Sequence, residues 1–172
     1  MMSSGVAMTA SRDNYRSSNI NDRACFLAYL QTFGKTLYAV KDDGACFYRS
    51  VAVALQRNAE LHDVYRQRTM DYIATHADDF SDVVADNDIH EHVEEGRKLN
   101  VWVEECDIVA FRRMFSINIV IFFYNGVQQH PTFSHSYGPN DIDPNYPTTI
   151  EVVFLNGNHY ATVVNIADLH LY

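Results

Sequence analysis

The sequence predicts an α+β domain in which helices pack around a small central sheet. Three observations carry that prediction. Apolar residues recur at helical spacing through the first two thirds of the chain. The last third turns to β-branched and aromatic runs broken by the pairs Asn125-Gly126 and Asn156-Gly157. All four prolines (Pro131, Pro139, Pro144 and Pro147) fall between those runs, where they mark a long surface loop.

The elements follow in order. Residues 1–17 are small and polar without an apolar period, so a loose N-terminal tail is expected there, followed by one domain over 18–172. Ala24, Leu27, Leu30 and Phe33 form a one-sided stripe that predicts a helix ended by Gly34. Residues 37–40 read as a short extended run. Cys46–Gln56 is apolar on nearly every side, the pattern of a helix buried in the middle of a domain. A further helix is expected over 62–76 with Val64, Met70 and Ile73 inward, then short helices within the acidic segment 78–100. Asn100 is placed to cap another over 101–115, whose early carboxylates and late arginines suit the helix dipole. Strands are expected over 117–124, 149–155 and 158–166.

Composition narrows the function. The chain has 172 residues, 47% of them hydrophobic, enough apolar side chain for a sizeable core and too much for a disordered chain. Thirteen basic against 22 acidic residues leave a net charge of −9. That argues against a nucleic-acid partner, because phosphate neutralisation needs a basic face. The longest apolar run, 119–124, is far short of the ~20 residues that span a bilayer, so no membrane partner is expected. Cys25, Cys46 and Cys106 are too few for a disulfide framework, and no Asn-x-Ser/Thr acceptor occurs. A monomer in the reducing cytoplasm, with free thiols, is the expectation.

Cys46 is the thiol placed for chemistry. It ends an Asp43-Gly44-Ala45 loop and opens the buried helix. A lone buried cysteine is more often a core hydrophobe. At a helix N-terminus, however, unpaired N–H groups favour thiolate, and the same groups can bind the oxyanion of a tetrahedral intermediate. Asp43 can brace the loop by accepting backbone hydrogen bonds. A thiolate nucleophile needs an imidazole, and His159 stands out among eight histidines by following the Asn156-Gly157 turn at the start of a return strand.

Together, Asp43-Gly44-Ala45-Cys46-Phe47-Tyr48-Arg49-Ser50 and Asn158-His159-Tyr160-Ala161-Thr162-Val163 resemble the paired blocks of the ovarian-tumour (OTU) cysteine proteases. His62-Asp63-Val64-Tyr65-Arg66 and the stretch from Gly96 and Trp102 to Ile117-Asn118-Ile119 extend the resemblance over residues 20–166. The resemblance implies a papain-like fold and a deubiquitinase that cleaves isopeptide bonds after the C-terminal Gly-Gly of ubiquitin. It implies Cys46 as nucleophile, His159 as general acid and base, Asp43 as the acid of the loop motif, and backbone N–H groups of Gly44, Ala45 and Cys46 as oxyanion donors. Asn158 and Tyr160 beside the histidine, and Ile89 and Val93 in the acidic helical arm, are the implied ubiquitin contacts, as is the loop 125–137. The implied partners are ubiquitin, polyubiquitin chains or a ubiquitin-like modifier, whose basic tail suits an acidic enzyme. No cofactor is implied. Stand-alone OTU domains of this kind also serve viruses and intracellular bacteria in the host cytoplasm.

One departure bears on mechanism. Many members place Asp or Asn two residues after the histidine, on the same strand face, and here that residue is Ala161. Asp13, Asp22, a backbone carbonyl, a water or a simple Cys–His dyad are the alternatives. Ala161 also leaves room for a ubiquitin-binding module without turnover. His90-x-His92 with Glu91, Glu94 and Glu95 lacks any companion metal motif and reads as a solvated acidic helix, so no metal site is expected. Cys25 and Cys106 read as core residues.

Overall fold

The computed structural model describes residues 22–84, 88–124, 132–133 and 137–172. The expected tail, Asp13 and the Asn125-Gly126 turn lie outside the described residues. Five α-helices occur among them: α1 (Asp22–Gln31), α2 (Cys46–Gln56), α3 (His62–Thr75), α4 (Ile89–Gly96) and α5 (Glu105–Phe115). Five strands, β1 (Lys35–Tyr38), β2 (Ile117–Phe123), β3 (Thr132–Phe133), β4 (Thr148–Leu155) and β5 (His159–Asn165), form one sheet in the order β1-β5-β4-β2-β3. Only the β2–β4 pair is parallel.

Both faces of the sheet are covered, and the period of two along each strand assigns side chains to the two layers. Ile117, Ile119 and Ile121 of β2, with Ile150 and Val152 of β4, pack against α2, α3 and α5 through Phe47, Val51, Tyr65 and Phe111. Val120, Phe122, Val153, Leu155, Ala161 and Val163 face Phe26 and Leu30 of α1. β2 is therefore buried along almost its whole length, which is why it reads as a continuous apolar run. α2 lies across the sheet, and Thr162 on β5 donates to the Ser50 carbonyl at 2.8 Å, locking helix to strand.

Helix positions match the sequence reading better than helix faces do. α1 buries Asp22, Phe26 and Leu30; of the expected stripe Leu30 is buried, Leu27 is half-buried, and Ala24 and Phe33 are exposed. The buried face runs through Asp22, and a buried carboxylate carries no apolar signal. The Asp22 carboxylate accepts the Asn156 N–H at 3.1 Å and so ties α1 to the turn before His159. Val64 likewise points outward, 53% exposed, while Met70 and Ile73 are buried. α5 begins four residues later than expected: the Asp107 carboxylate accepts the Glu104 N–H at 2.8 Å at its start, and residues 101–104 lie outside any helix or strand. Asn156 and Gly157 both have left-handed φ, 51° and 68°, as the central residues of a type I′ turn require.

Candidate active site

The loop before α2 is held from three directions. Asp43 sits at its centre: one carboxylate oxygen accepts the Ala45 N–H at 3.0 Å, and the Asp43 carbonyl accepts the Cys46 N–H at 3.0 Å. Arg49, one turn into α2, grips the same carboxylate through Nε at 3.2 Å and Nη2 at 3.1 Å. Burial works to raise the Asp43 carboxyl, but the Arg49 and Ala45 hydrogen bonds and the Arg49 and Lys41 charges outweigh it, and its pKa is lowered. Arg66 of α3 is 1% exposed and donates to the carbonyls of Gly44 (2.9 Å), Gly96 (2.9 Å) and Val101 (2.8 Å). Its guanidinium also lies over the Tyr48 ring, 4.6 Å from the centroid. From the far side the Asn100 backbone presses on Gly44 so closely that a Cβ there would lie 2.1 Å from the Asn100 oxygen. Asn100 thus serves the loop rather than capping a helix.

Cys46 is the first residue of α2 and is 1% exposed. Its Sγ accepts a hydrogen bond from the Tyr160 N–H at 3.4 Å, so β5 delivers the residue after His159 directly onto the sulfur. The His159 side chain is 13% exposed, and its buried Nδ1 makes no hydrogen bond among the described residues. That nitrogen lies 3.3 Å from an Asp42 carboxylate oxygen. The pair is close without hydrogen-bond alignment, so it becomes an ion pair only where the ring carries a proton on both nitrogens. Asp42 is 72% exposed, leaving solvent to screen it.

Burial pushes the Cys46 thiol up; the Tyr160 and Phe47 N–H groups pull it down, and the Asp42 and Asp43 charges push it up again. The net direction is upward, opposite to the thiolate that a helix N-terminus alone favours. Two carboxylates on the loop and a nearly closed site outweigh the amides. Alkylation of Cys46 by iodoacetamide in the free protein should therefore keep accelerating as pH passes 9.0, the ordinary thiol value. Peptide-resolved mass spectrometry reads this rate; a plateau near neutral pH would mean a preformed thiolate and overturn the direction.

The expected oxyanion donors need a correction. The Ala45 and Cys46 N–H groups are turned inward onto Asp43 in this conformation, not toward a substrate oxygen. Two expected ubiquitin contacts are also corrected. The Tyr160 ring is buried against Phe47 and Phe154, at centroid distances of 5.3 and 4.8 Å, because its place on β5 faces the helices. Val93 packs inward with Met70, Ile73 and Phe80, and half-buried Ile89 leans on the same cluster. Asn158 is exposed and its N–H closes the turn onto the Leu155 carbonyl at 3.0 Å. Asp42, not among the residues expected from the sequence, has no sequence signal beyond its adjacency to Asp43. Two residues past the histidine, Ala161 is wholly buried against α1.

A family model described as OTU-like cysteine protease matches residues 41–160, an interval that contains Asp42, Asp43, Cys46 and His159. The chain belongs to this family. It is 30% identical over 132 residues to OTU domain-containing protein 5-A of Xenopus laevis, an alignment covering 77% of this chain and 24% of that protein. The chain thus spans only about a quarter of the length of that relative. The OTU domain of OTUD1 has the same fold, with a TM-score of 0.73 at 26% identity over 84% of this chain and 95% of that one. So does an OTU deubiquitinase from Wolbachia pipientis wMel bound to ubiquitin, with a TM-score of 0.61 at 9% identity, covering 78% and 98%. The fold class expected from the sequence is thereby that of the OTU domain. No helix among the described residues is long and apolar enough to cross a membrane.

Proposed function

We propose that this OTU domain is a deubiquitinating thiol protease that hydrolyses isopeptide bonds after the ubiquitin Gly-Gly terminus, with residues 18–172 as a monomeric catalytic unit acting in the cytoplasm. The observation that carries the reading is the junction of α2 and β5, where the Tyr160 N–H bonds the Cys46 sulfur and His159 stands at the strand end beside Asp42. The Wolbachia pipientis neighbour, a deubiquitinase bound to ubiquitin, supports the substrate class.

The raised thiol pKa makes the first step general-base catalysis rather than attack by a standing thiolate. As the Gly carbonyl arrives, His159 takes the Cys46 proton while the sulfur–carbon bond forms. The carbonyl becomes an oxyanion at the N-terminus of α2, where the helix dipole favours negative charge. Collapse breaks the carbon–nitrogen bond, and the His159 proton leaves on the lysine amine. Water then gives a proton to His159, attacks the thioester and frees the ubiquitin carboxylate, and Cys46 regains its proton.

Asp42 stabilises the imidazolium formed on the way. Because Asp42 is largely exposed, Asp42→Asn should lower kcat by about 10–10²-fold, less than loss of a buried triad acid. Unchanged turnover would remove Asp42 from the mechanism.

The whole reading is tested with ubiquitin carrying a C-terminal electrophile. A covalent adduct, seen by mass and absent in Cys46→Ala, is the expected result. No adduct with ubiquitin, or one that persists without Cys46, overturns it; ubiquitin binding without an adduct would mark a non-catalytic module. Reaction only with a ubiquitin-like modifier bearing the same electrophile would reassign the substrate.

A further inference from the structure

His92 does not join the acidic pattern around His90. Its ring turns inward from α4 and meets the first turn of α5, where Nε2 lies 2.7 Å from an Asp107 carboxylate oxygen and 3.3 Å from the Cys106 sulfur. The same sulfur is 3.6 Å from that Asp107 oxygen. The His92 and Asp107 side chains are 9% and 3% exposed, and Cys106 is 3% exposed. The three ligating atoms lie within 4.8 Å of one another, and nothing in the proposed hydrolysis uses them.

We propose that His92, Cys106 and Asp107 form a binding site for a zinc-class divalent cation. The donor set of one thiolate, one imidazole and one carboxylate is that of Zn²⁺ rather than of the hard cations, which take oxygen alone. Ordinary zinc bond lengths at a tetrahedral angle imply edges of about 3.5 Å from sulfur to nitrogen or oxygen, and about 3.3 Å from nitrogen to oxygen. The two sulfur edges already have nearly that length. The nitrogen–oxygen edge is shorter because a proton now sits between the two atoms, and it widens when the cation replaces that proton.

The surroundings orient each ligand. The other Asp107 oxygen accepts the Glu104 N–H at 2.8 Å, which leaves the oxygen near His92 to bind alone. On the far side of the imidazole, Nδ1 lies 3.8 Å from a Glu104 carboxylate oxygen. A metal-bound histidine usually presents its second nitrogen to such a carboxylate. On binding, the proton between His92 and Asp107 leaves Nε2 and the ring carries its proton on Nδ1, toward Glu104, while the Cys106 proton is released to solvent. The fourth position is left for solvent, the arrangement of an open zinc site.

Such a cation ties α4 to α5 and closes the segment between them. That segment holds Asn100 against Gly44 and the Val101 carbonyl on Arg66, so the site braces the loop that carries Cys46.

The test uses the full chain carrying Cys46→Ala, which removes the other thiol–imidazole pair, titrated with Co²⁺. One equivalent should produce a thiolate-to-cobalt charge-transfer band that Zn²⁺ abolishes. Zn²⁺ should also raise the melting temperature. Cys106→Ser, checked for native circular dichroism without metal, should lose the band, and His92→Gln should lose the zinc-dependent rise. No band at one equivalent, a band that survives Cys106→Ser, or the same thermal shift in His92→Gln each overturns the proposal.

Discussion

His159→Ala is expected to lower turnover of a ubiquitin–fluorophore substrate by about 10²–10⁴-fold, the usual contribution of a positioned acid–base group. Ubiquitin affinity, measured by calorimetry, should stay within about threefold, because the lost interaction is made in the transition state rather than in the complex. The physical reason is the state of Cys46. Burial and the Asp42 and Asp43 charges push its pKa up, so in the proposed hydrolysis Cys46 needs a base at the moment of attack. In that hydrolysis the same ring must then return the proton to the lysine amine. Turnover within tenfold of the parent, with intact fold, would mean that another group moves the proton.

Arg66→Ala is expected to be the most destabilising single change, by roughly 3–5 kcal/mol. A buried carbonyl that loses its donor costs about 1–3 kcal/mol, and Arg66 serves Gly96 in the interior and Gly44 and Val101 at partly buried positions. Water entering the vacated space restores part of that, so the losses do not add. For a chain of this size the melting temperature should fall by roughly 10 °C. Activity should fall further than unfolding explains, since Gly44 sits between Asp43 and the nucleophile. Arg66→Lys should recover part of the stability and little of the activity, because one ammonium cannot reproduce a planar fork over three carbonyls. Thermal melts beside turnover measured well below the transition separate the two effects. A melting temperature within about 2 °C of the parent would show that these carbonyls are satisfied in some other way.

The Cys46 block and the His159 block were legible because each is local. A loop with Asp43 and Gly44 feeding a buried helix, and a left-handed Asn156-Gly157 turn feeding a strand, are short-range patterns whose physics lies within a few residues. Helix existence was equally local, and α2 has the bounds the apolar run suggested. Helix faces were less legible. The face of α1 depends on Asp22 reaching Asn156, 134 positions away, and a buried carboxylate looks like a surface one until its partner is known.

The partners of each functional group were the hidden part. Asp42 beside His159, Arg66 under Gly44, Asn100 against Gly44 and His92 on Cys106 all join residues from different elements. Polar side chains at such sites follow no hydrophobic period, and one sequence holds no distances. The order of residues established a helix-and-sheet domain with a cysteine at a helix start and a histidine at a strand start. Packing of the sheet between α1 and α2 decided which carboxylate lies near that histidine, which N–H group faces the sulfur, and that the thiol pKa is pushed up. Those outcomes are set by burial and by charges brought together across the fold, and neither exists before the chain has closed on itself.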